Sequence, residues 1–175
     1  QVMENLKAEN AEFTILLQNE HINDYPDHVE KIIMSGAKVL SVPKLTEGTA
    51  CTVLSAERGI NNDDYLMIAN SDQLVDFNVD KYIQDCMRRD LDGSILVFKD
   101  SDPKWSYAKI NENGLVSEVA EKKPISEFAT VGIYLFKTGR SFVSAAIEMI
   151  VSNDRVNNEF YTCPVYNYLI KYGAR

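Results

Sequence analysis

Short apolar runs separated by polar turn residues recur along the chain, and the most informative run lies before its middle. Tyr65-Leu66-Met67-Ile68-Ala69 is apolar without alternation and leads into the polar stretch Asn70-Ser71-Asp72-Gln73. Such a run is typical of a strand buried on both faces, as in the middle of a parallel sheet covered by helices. Asp72 would follow the carboxyl end of this strand, where open α/β sheets bind ligands, and a carboxylate there suits a metal or a substrate hydroxyl. The simpler interpretation, that Asp72 only helps the chain to turn, stays open.

The first half of the chain alternates predicted helices and strands. Helical spacing of apolar residues predicts helices at 1–9, 25–36 and 50–58. Strands are predicted at 13–17, 38–42 and 65–69. His21 falls in a polar loop, and Gly59 is expected to end the third helix. This βαβ order predicts a parallel sheet with right-handed crossovers.

The second half has a different pattern. Asn78 is a typical N-cap for a helix, and 94–98 and 130–136 are apolar strands. The extended segments 105–110 and 115–120 flank an Asn-Gly pair, which is a hairpin signal. Helices are predicted at 139–151 and from residue 164. We therefore expect antiparallel strands added to a parallel core, within a single domain over residues 1–175.

Composition narrows the classes of partner. The chain has 175 residues and a formal net charge of −8 at pH 7, which argues against nucleic acid or an anionic membrane as a partner. No apolar run approaches the roughly 18 residues that span a bilayer, and the start does not resemble a secretory signal. Three widely separated cysteines fit reduced thiols. We expect a cytoplasmic protein.

Three further features point to a phosphorylated ligand. Small residues at Gly48-Thr49-Ala50 start a predicted helix, where backbone N–H groups are unpaired, although tight packing on a sheet would also favour them. The basic pair Lys122-Lys123 precedes a proline. Gly132 interrupts a bulky strand, which indicates a close ligand or backbone, or a bulge. Neither a Gly-x-Ser-x-Gly elbow nor a Gly-x-Gly-x-x-Gly run occurs.

Five segments together resemble a known family. Residues 46–50, 66–72, 105–110, 121–124 and 131–134 appear in the order found in sugar-phosphate nucleotidylyltransferases, the NDP-sugar pyrophosphorylases. The resemblance implies a GT-A-like α/β fold, a three-layer sandwich around a mixed, mainly parallel central sheet. It also implies further chain at both ends, so that the domain would be incomplete in residues 1–175.

The resemblance assigns roles around the sugar phosphate. Asp72 matches the aspartate that binds Mg²⁺ and, through it, the α-phosphate. Glu121 matches the glutamate that bonds sugar hydroxyls, and the next lysine holds the sugar phosphate. Because this chain has two lysines there, Lys122 or Lys123 fills that role. Gly132 matches the glycine whose backbone borders the sugar.

On the nucleotide side, the resemblance places the Gly48-Thr49 turn against the base, through backbone groups. Tyr107 belongs to a Tyr-Ala pair where the family usually has Tyr-Gly, so close backbone contact there is in doubt. Asn70, in the polar stretch after the strand, and Glu159, in an acidic-aromatic step, are expected among the substrate-binding residues.

Two family features are absent from residues 1–175. The glycine-rich phosphate loop would lie upstream of the first helix. A second metal ligand is expected beyond Arg175, with Asn157 and Asn158 as the alternative inside the chain.

The implied reaction transfers a nucleoside monophosphate from a nucleoside triphosphate to a sugar 1-phosphate, with Mg²⁺, and releases pyrophosphate. One alternative is a metal-dependent glycosyltransferase of the same fold with an NDP-sugar donor, although Asn70-Ser71-Asp72 differs from the usual Asp-x-Asp. The other is a non-catalytic domain that binds a nucleotide or sugar phosphate. The base, the acceptor and a homo-oligomeric state stay open.

Overall fold

The computed structural model describes residues 1–175 and contains eight helices and seven strands. The helices are α1 (Val2–Asn5), α2 (Asn19–Asp24), α3 (Pro26–Met34), α4 (Thr49–Leu54), α5 (Glu57–Ile60), α6 (Val79–Arg88), α7 (Gly139–Val151) and α8 (Val165–Lys171). The strands are β1 (Thr14–Gln18), β2 (Lys38–Val42), β3 (Leu66–Ala69), β4 (Gly93–Lys99), β5 (Ser106–Ile110), β6 (Val116–Glu121) and β7 (Phe128–Phe136).

Helix ends follow the capping signals of the sequence. The Asn78 side chain accepts a hydrogen bond from the backbone N–H of Lys81 at 2.8 Å, so α6 begins where it was predicted. Thr138 caps α7 in the same way through Ser141. Two local predictions are wrong. His21 lies in α2, and Gly59 lies inside α5, because the chain continues with a second short helix after α4.

The strands form two sheets. β1 and β2 pair in parallel, as the βαβ pattern predicted. The other five strands form a sheet in the order β3-β7-β5-β6, with β4 also paired to β7. β7 is antiparallel to β3, β4 and β5, and the β5–β6 hairpin is also antiparallel.

This pairing differs from the expectation of mainly parallel strands. The long strand β7 runs against both β3 and β4, and an apolar run carries no information on strand direction. The prediction that β3 lies in the middle of a parallel sheet is therefore wrong. β3 is an edge strand of the five-stranded sheet, and its four residues are only half-buried.

Helices cover both faces of the five-stranded sheet. Phe136 of β7 packs into the larger core with Phe142 of α7 and Tyr166 of α8. The alternate residue Leu135 enters a smaller cluster with Cys86 of α6. Because side chains alternate along a strand, one strand joins the two cores. The result is a three-layer α/β arrangement. None of the helices combines the length and apolar character needed to cross a membrane.

Candidate functional site

A cavity of about 320 Å³ lies where the carboxyl end of β3 meets the middle of β7. Ala69, the last residue of β3, is paired with Ile133 of β7, so the loop after β3 opens directly onto this region. The start of α4, the ends of β5 and β6, and the segment before α8 supply the other walls. A second cavity of about 170 Å³, between β4 and α8, contains no predicted site residue.

The cavity gathers predicted site residues from four distant segments. Those that line it are Thr49, Asn70, Asp72, Glu121, Lys122 and Gly132. The prediction of a ligand site at the end of β3 thus corresponds to a real concavity in the fold. Gly48, Tyr107, Lys123 and Glu159 do not line it.

Gly132 lies in a bulge of β7 and has a positive φ of 78°. The β4–β7 register shifts between Ile95 and Val97, opposite this position. A Cβ atom on Gly132 would lie 2.3 Å from Nδ2 of Asn70 and 3.1 Å from Oε1 of Gln73. The bulge predicted as one explanation is present, whereas the atoms nearest to this Cβ position do not belong to the backbone of another segment. The groups that come close are two side chains of the loop after β3.

Glu121 presents a largely desolvated carboxyl group to the cavity. It ends β6, opposite Ser106 of β5, whose hydroxyl donates a hydrogen bond to Oε2. Burial raises the pKa of the Glu121 carboxyl, whereas the Ser106 hydrogen bond and the charge of Lys122 act in the opposite direction. The second carboxylate oxygen can accept hydrogen bonds from a ligand.

Lys122 follows Glu121 directly and has a positive φ of 53°, which is unusual for a lysine. Its Nζ donates a hydrogen bond of 2.7 Å to the hydroxyl of Tyr161 and lies 4.8 Å from the centre of that ring. The hydrogen bond to Tyr161 raises the pKa of Lys122 above its ordinary value. A protonated amine is therefore held at the edge of the cavity. Lys123 is exposed outside the lining.

Behind Glu121, the wall is a cluster of buried polar side chains. The hydroxyl of Tyr134 and Oγ1 of Thr130 are hydrogen-bonded at 3.0 Å. Burial raises the pKa of the Cys163 thiol and of the Tyr134 hydroxyl well above their ordinary values. Both groups stay protonated at neutral pH, so this wall offers neutral polar atoms and no thiolate nucleophile.

The turn before α4 is fixed by the segment before α8. Gly48 has a φ of 119°, and a Cβ atom there would lie 2.5 Å from the backbone nitrogen of Phe160. The N–H of Ala50 donates to the Phe160 carbonyl at 2.9 Å, and the N–H of Phe160 donates to the Glu47 carbonyl at 2.7 Å. Because it has no side chain, Gly48 allows the turn to pack closely against the backbone of Phe160. Thr49 reaches the cavity, and its Oγ1 accepts a hydrogen bond from the N–H of Thr162 at 3.0 Å.

Two predicted site residues occupy other environments. Tyr107 is fully buried, and its hydroxyl donates to the Asp102 carbonyl at 2.7 Å. It therefore supports the loop before β5 and offers no side-chain atom to the cavity. Glu159 is exposed in a turn with Asn157 and Asn158, both of which have positive φ. Burial is the main cause of the raised pKa of Glu121, and the negative charge of Glu159 raises that pKa further.

Asp72 is an exposed carboxylate on the cavity wall. No group of three or more His, Cys, Asp or Glu side chains is placed to hold a metal ion. Mg²⁺ is commonly bound through one or two carboxylates, with waters and substrate phosphates completing the octahedron. The donor set at Asp72 therefore fits a Mg²⁺ ion that arrives with a phosphorylated substrate, and it does not form a preformed cage.

Several lining residues were not predicted from the sequence. Gln73 follows Asp72, and Lys104 and Trp105 precede β5. Nζ of Lys104 lies 4.9 Å from the centre of the Trp105 ring and 3.1 Å from Oδ2 of Asp102. The adjacent Lys104 and Trp105, at the start of a predicted extended segment, could have indicated a ligand-binding position in the sequence. Nothing in the sequence shows that the Gln73 side chain turns inward.

Residues 1–163 match the family model described as Nucleotidyl transferase. The structure is similar to that of the nucleoside-diphosphate-sugar pyrophosphorylase from Vibrio cholerae RC9, with a TM-score of 0.76 and 26% identity, over 94% of this chain and 70% of that chain.

A protein from Bacillus anthracis described as a glucose-1-phosphate thymidylyltransferase, in complex with a sucrose, gives a TM-score of 0.70 at 19% identity. This match covers 92% of this chain and 64% of that chain, and it bears on the fold alone. No curated protein sequence matches significantly. These similarities confirm the predicted resemblance and the three-layer α/β fold class.

Proposed function

The chain belongs to the nucleotidyl transferase family, and we propose that its cavity binds a sugar 1-phosphate, which receives a nucleoside monophosphate from a nucleoside triphosphate. The products would be an NDP-sugar and pyrophosphate. The chain spans 70% and 64% of the two similar structures, so this activity is proposed for the complete gene product.

The observation that carries the proposal is the pairing of Glu121 and Lys122 on one wall. Consecutive residues present a desolvated carboxyl group and an ammonium group to the same cavity. A carboxylate can accept hydrogen bonds from two sugar hydroxyls, and an ammonium group stabilises a phosphate. A sugar phosphate needs both kinds of contact, a few ångströms apart.

The turn at Thr49 would border the nucleotide. Its backbone is fixed by the hydrogen bonds to Phe160 and Thr162, so it offers a rigid edge to a base. Rigid placement matters because aligning two bound reactants supplies much of the rate enhancement in group transfer.

In the reaction, a phosphate oxygen of the sugar 1-phosphate attacks the α-phosphorus, and the bond from that phosphorus to the bridging oxygen of pyrophosphate breaks. Lys122 holds the attacking phosphate, and Glu121 orients the sugar ring. Mg²⁺, held by Asp72 and the phosphates, would supply charge stabilisation. No covalent intermediate with the protein is needed.

The proposal is tested by incubating the complete gene product with each common nucleoside triphosphate and a panel of sugar 1-phosphates. Pyrophosphate is measured with a coupled assay, and products are identified by mass spectrometry. We expect pyrophosphate release only when both substrates are present, with an NDP-sugar of matching mass. Release of a nucleoside diphosphate from an NDP-sugar would indicate a glycosyltransferase instead, and binding without turnover would indicate a non-catalytic domain.

A further inference from the structure

Gln73 has a buried polar atom without a partner. Its Oε1 is excluded from solvent and makes no hydrogen bond, and no other buried side-chain nitrogen or oxygen in the protein lacks one. Nearly all buried polar atoms in proteins have a hydrogen-bond partner, because an unpartnered one loses its hydration without compensation. An exception on the wall of a ligand cavity requires an explanation.

The fold holds this side chain in a defined position. Oε1 lies 3.1 Å from the place where a Cβ atom of Gly132 would be, and Nδ2 of Asn70 lies 2.3 Å from the same point. The bulge in β7 and the missing side chain of Gly132 therefore create the space that both amides occupy. The backbone N–H of Asn70 also donates to the Gly132 carbonyl at 3.1 Å, which fixes the start of the loop.

The chemistry of the missing partner follows from the atom that lacks it. An amide oxygen only accepts hydrogen bonds, so its partner must carry an O–H or N–H group. A phosphate oxygen has no such hydrogen at neutral pH. Neither cationic lining residue supplies that group, since the amines of Lys104 and Lys122 contact Asp102 and Tyr161, and Oε1 of Gln73 makes no hydrogen bond. In a sugar 1-phosphate, the ligand proposed above, the ring hydroxyls are the groups that carry such a hydrogen.

We propose that Gln73 is a specificity-determining residue, whose Oε1 accepts a hydrogen bond from one ring hydroxyl of the acceptor sugar. This inference rests on the proposed function, and it goes further by naming the residue that distinguishes sugars differing in one hydroxyl. A site built to bond a hydroxyl discriminates strongly against an epimer that points it elsewhere, because the buried acceptor is then left unpaired.

The test compares epimeric acceptors in the complete gene product and in two variants of it. The probes are α-D-glucose 1-phosphate and its galactose and mannose counterparts, each of which differs from glucose in the configuration of one hydroxyl. For each, kcat/KM is measured with the preferred nucleoside triphosphate. Gln73→Met removes the acceptor at similar size, and Gln73→Glu keeps an oxygen acceptor at the same place. Leu74→Met is the matched control, since Leu74 is the next residue, exposed and outside the lining.

We expect Gln73→Met to lower the ratio of kcat/KM between the best and second-best epimer by about 10-fold or more. Gln73→Glu should keep that ratio within about 3-fold, even if its charge lowers all rates, and Leu74→Met should keep both the ratio and the rates. Thermal unfolding of each variant checks that it folds.

Two outcomes would overturn the inference while the proposed function stands. One is an unchanged epimer ratio in a folded Gln73→Met variant, and the other is an equal fall of kcat/KM for all three sugars, which indicates a structural role. A loss of the epimer ratio in Gln73→Glu would overturn the acceptor role of Oε1. If the unmodified protein releases no pyrophosphate with any sugar 1-phosphate, the proposed function fails, and this inference fails with it.

Discussion

Lys122 donates a hydrogen bond of 2.7 Å to the hydroxyl of Tyr161, and its Nζ also lies 4.8 Å from the centre of the same ring. Lys122 comes from the end of β6 and Tyr161 from the segment before α8, which are far apart in sequence. Tyr161 therefore restrains a long, otherwise mobile cation at the cavity edge. We propose Lys122 as the lysine that contacts the phosphate, because it lines the cavity, whereas Lys123 lies outside the lining.

Replacing Lys122 by Met should lower kcat/KM for the sugar 1-phosphate by about 10- to 100-fold, because a charge-assisted hydrogen bond to phosphate is lost. Lys123→Met is the matched control, since Lys123 is exposed outside the cavity lining. We expect it to stay within about 2-fold of the unmodified protein. Equal losses in the two variants, measured by pyrophosphate release, would contradict the assignment of the phosphate contact to Lys122.

Tyr161→Phe removes the hydroxyl that accepts the hydrogen bond and keeps the ring beneath Nζ. We expect KM for the sugar 1-phosphate to change by a few-fold, with kcat nearly unchanged, because Lys122 keeps its charge but loses one restraint. Tyr161 would then be a positioning residue. If kcat fell 100-fold with KM unchanged, the hydroxyl would have to act on the reacting groups themselves.

The sequence predicted most elements of the fold, the parallel β1–β2 pair and the β5–β6 hairpin, but not the pairing of β7. The short apolar runs at 38–42 and 66–69, the helical periodicity at 139–151 and the N-cap Asn78 are local signals in the sequence. The direction of β7 depends on contacts between distant segments, so its antiparallel pairing with β3 could not be predicted. The expectation that β3 lies in the centre of a sheet failed for the same reason, since β3 is an edge strand.

Two of the predicted site residues that line the cavity are Asp72, expected from its place after a strand, and Glu121, expected from the family resemblance. Tyr107 was misplaced because burial depends on packing, which the residue type does not determine. Gln73 was missed because the empty space above Gly132, which admits its side chain, exists only in the folded chain.

Gly132→Ala should destabilise the protein more than an alanine at a comparable glycine. Gly36 has a similar φ of 89°, but a Cβ atom there would meet nothing within 4 Å. Gly36→Ala therefore carries backbone strain alone, about 1 kcal/mol. Gly132→Ala also forces Asn70 and Gln73 apart, which adds about 1–3 kcal/mol. Urea unfolding measures the free energy of unfolding of both variants. Equal losses in the two variants would show that the close approach at Gly132 adds nothing to the cost of the alanine.

Glu121 should give stability a specific pH dependence. Because burial raises the pKa of this carboxyl in the folded state, the folded protein keeps the proton at a pH where the unfolded chain has lost it. The contribution of Glu121 to the free energy of unfolding therefore falls as pH rises from the unfolded pKa through the raised folded pKa. It stays at its lowest value above that window.

Glu121→Gln removes this dependence. The free energy of unfolding of the variant should therefore rise relative to that of the unmodified protein as pH rises through the window. Glu118→Gln, at an exposed position of the same strand, is the control and should show no such gain. Urea unfolding at several pH values compares the three proteins. A constant difference between Glu121→Gln and the unmodified protein at every pH would contradict the raised pKa.

The central claim is that the cavity at the end of β3 is the site of nucleotidyl transfer. It is tested most directly by pyrophosphate release from the complete gene product and from its Asp72→Asn and Asp76→Asn variants, each with Mg²⁺ and with excess EDTA. Asp76 is an exposed carboxylate of the same loop, outside the cavity lining. We predict activity that needs both substrates and Mg²⁺, falls by about 100-fold or more in Asp72→Asn, and stays within about 2-fold in Asp76→Asn. Full activity of Asp72→Asn, or activity that survives EDTA, would contradict the account.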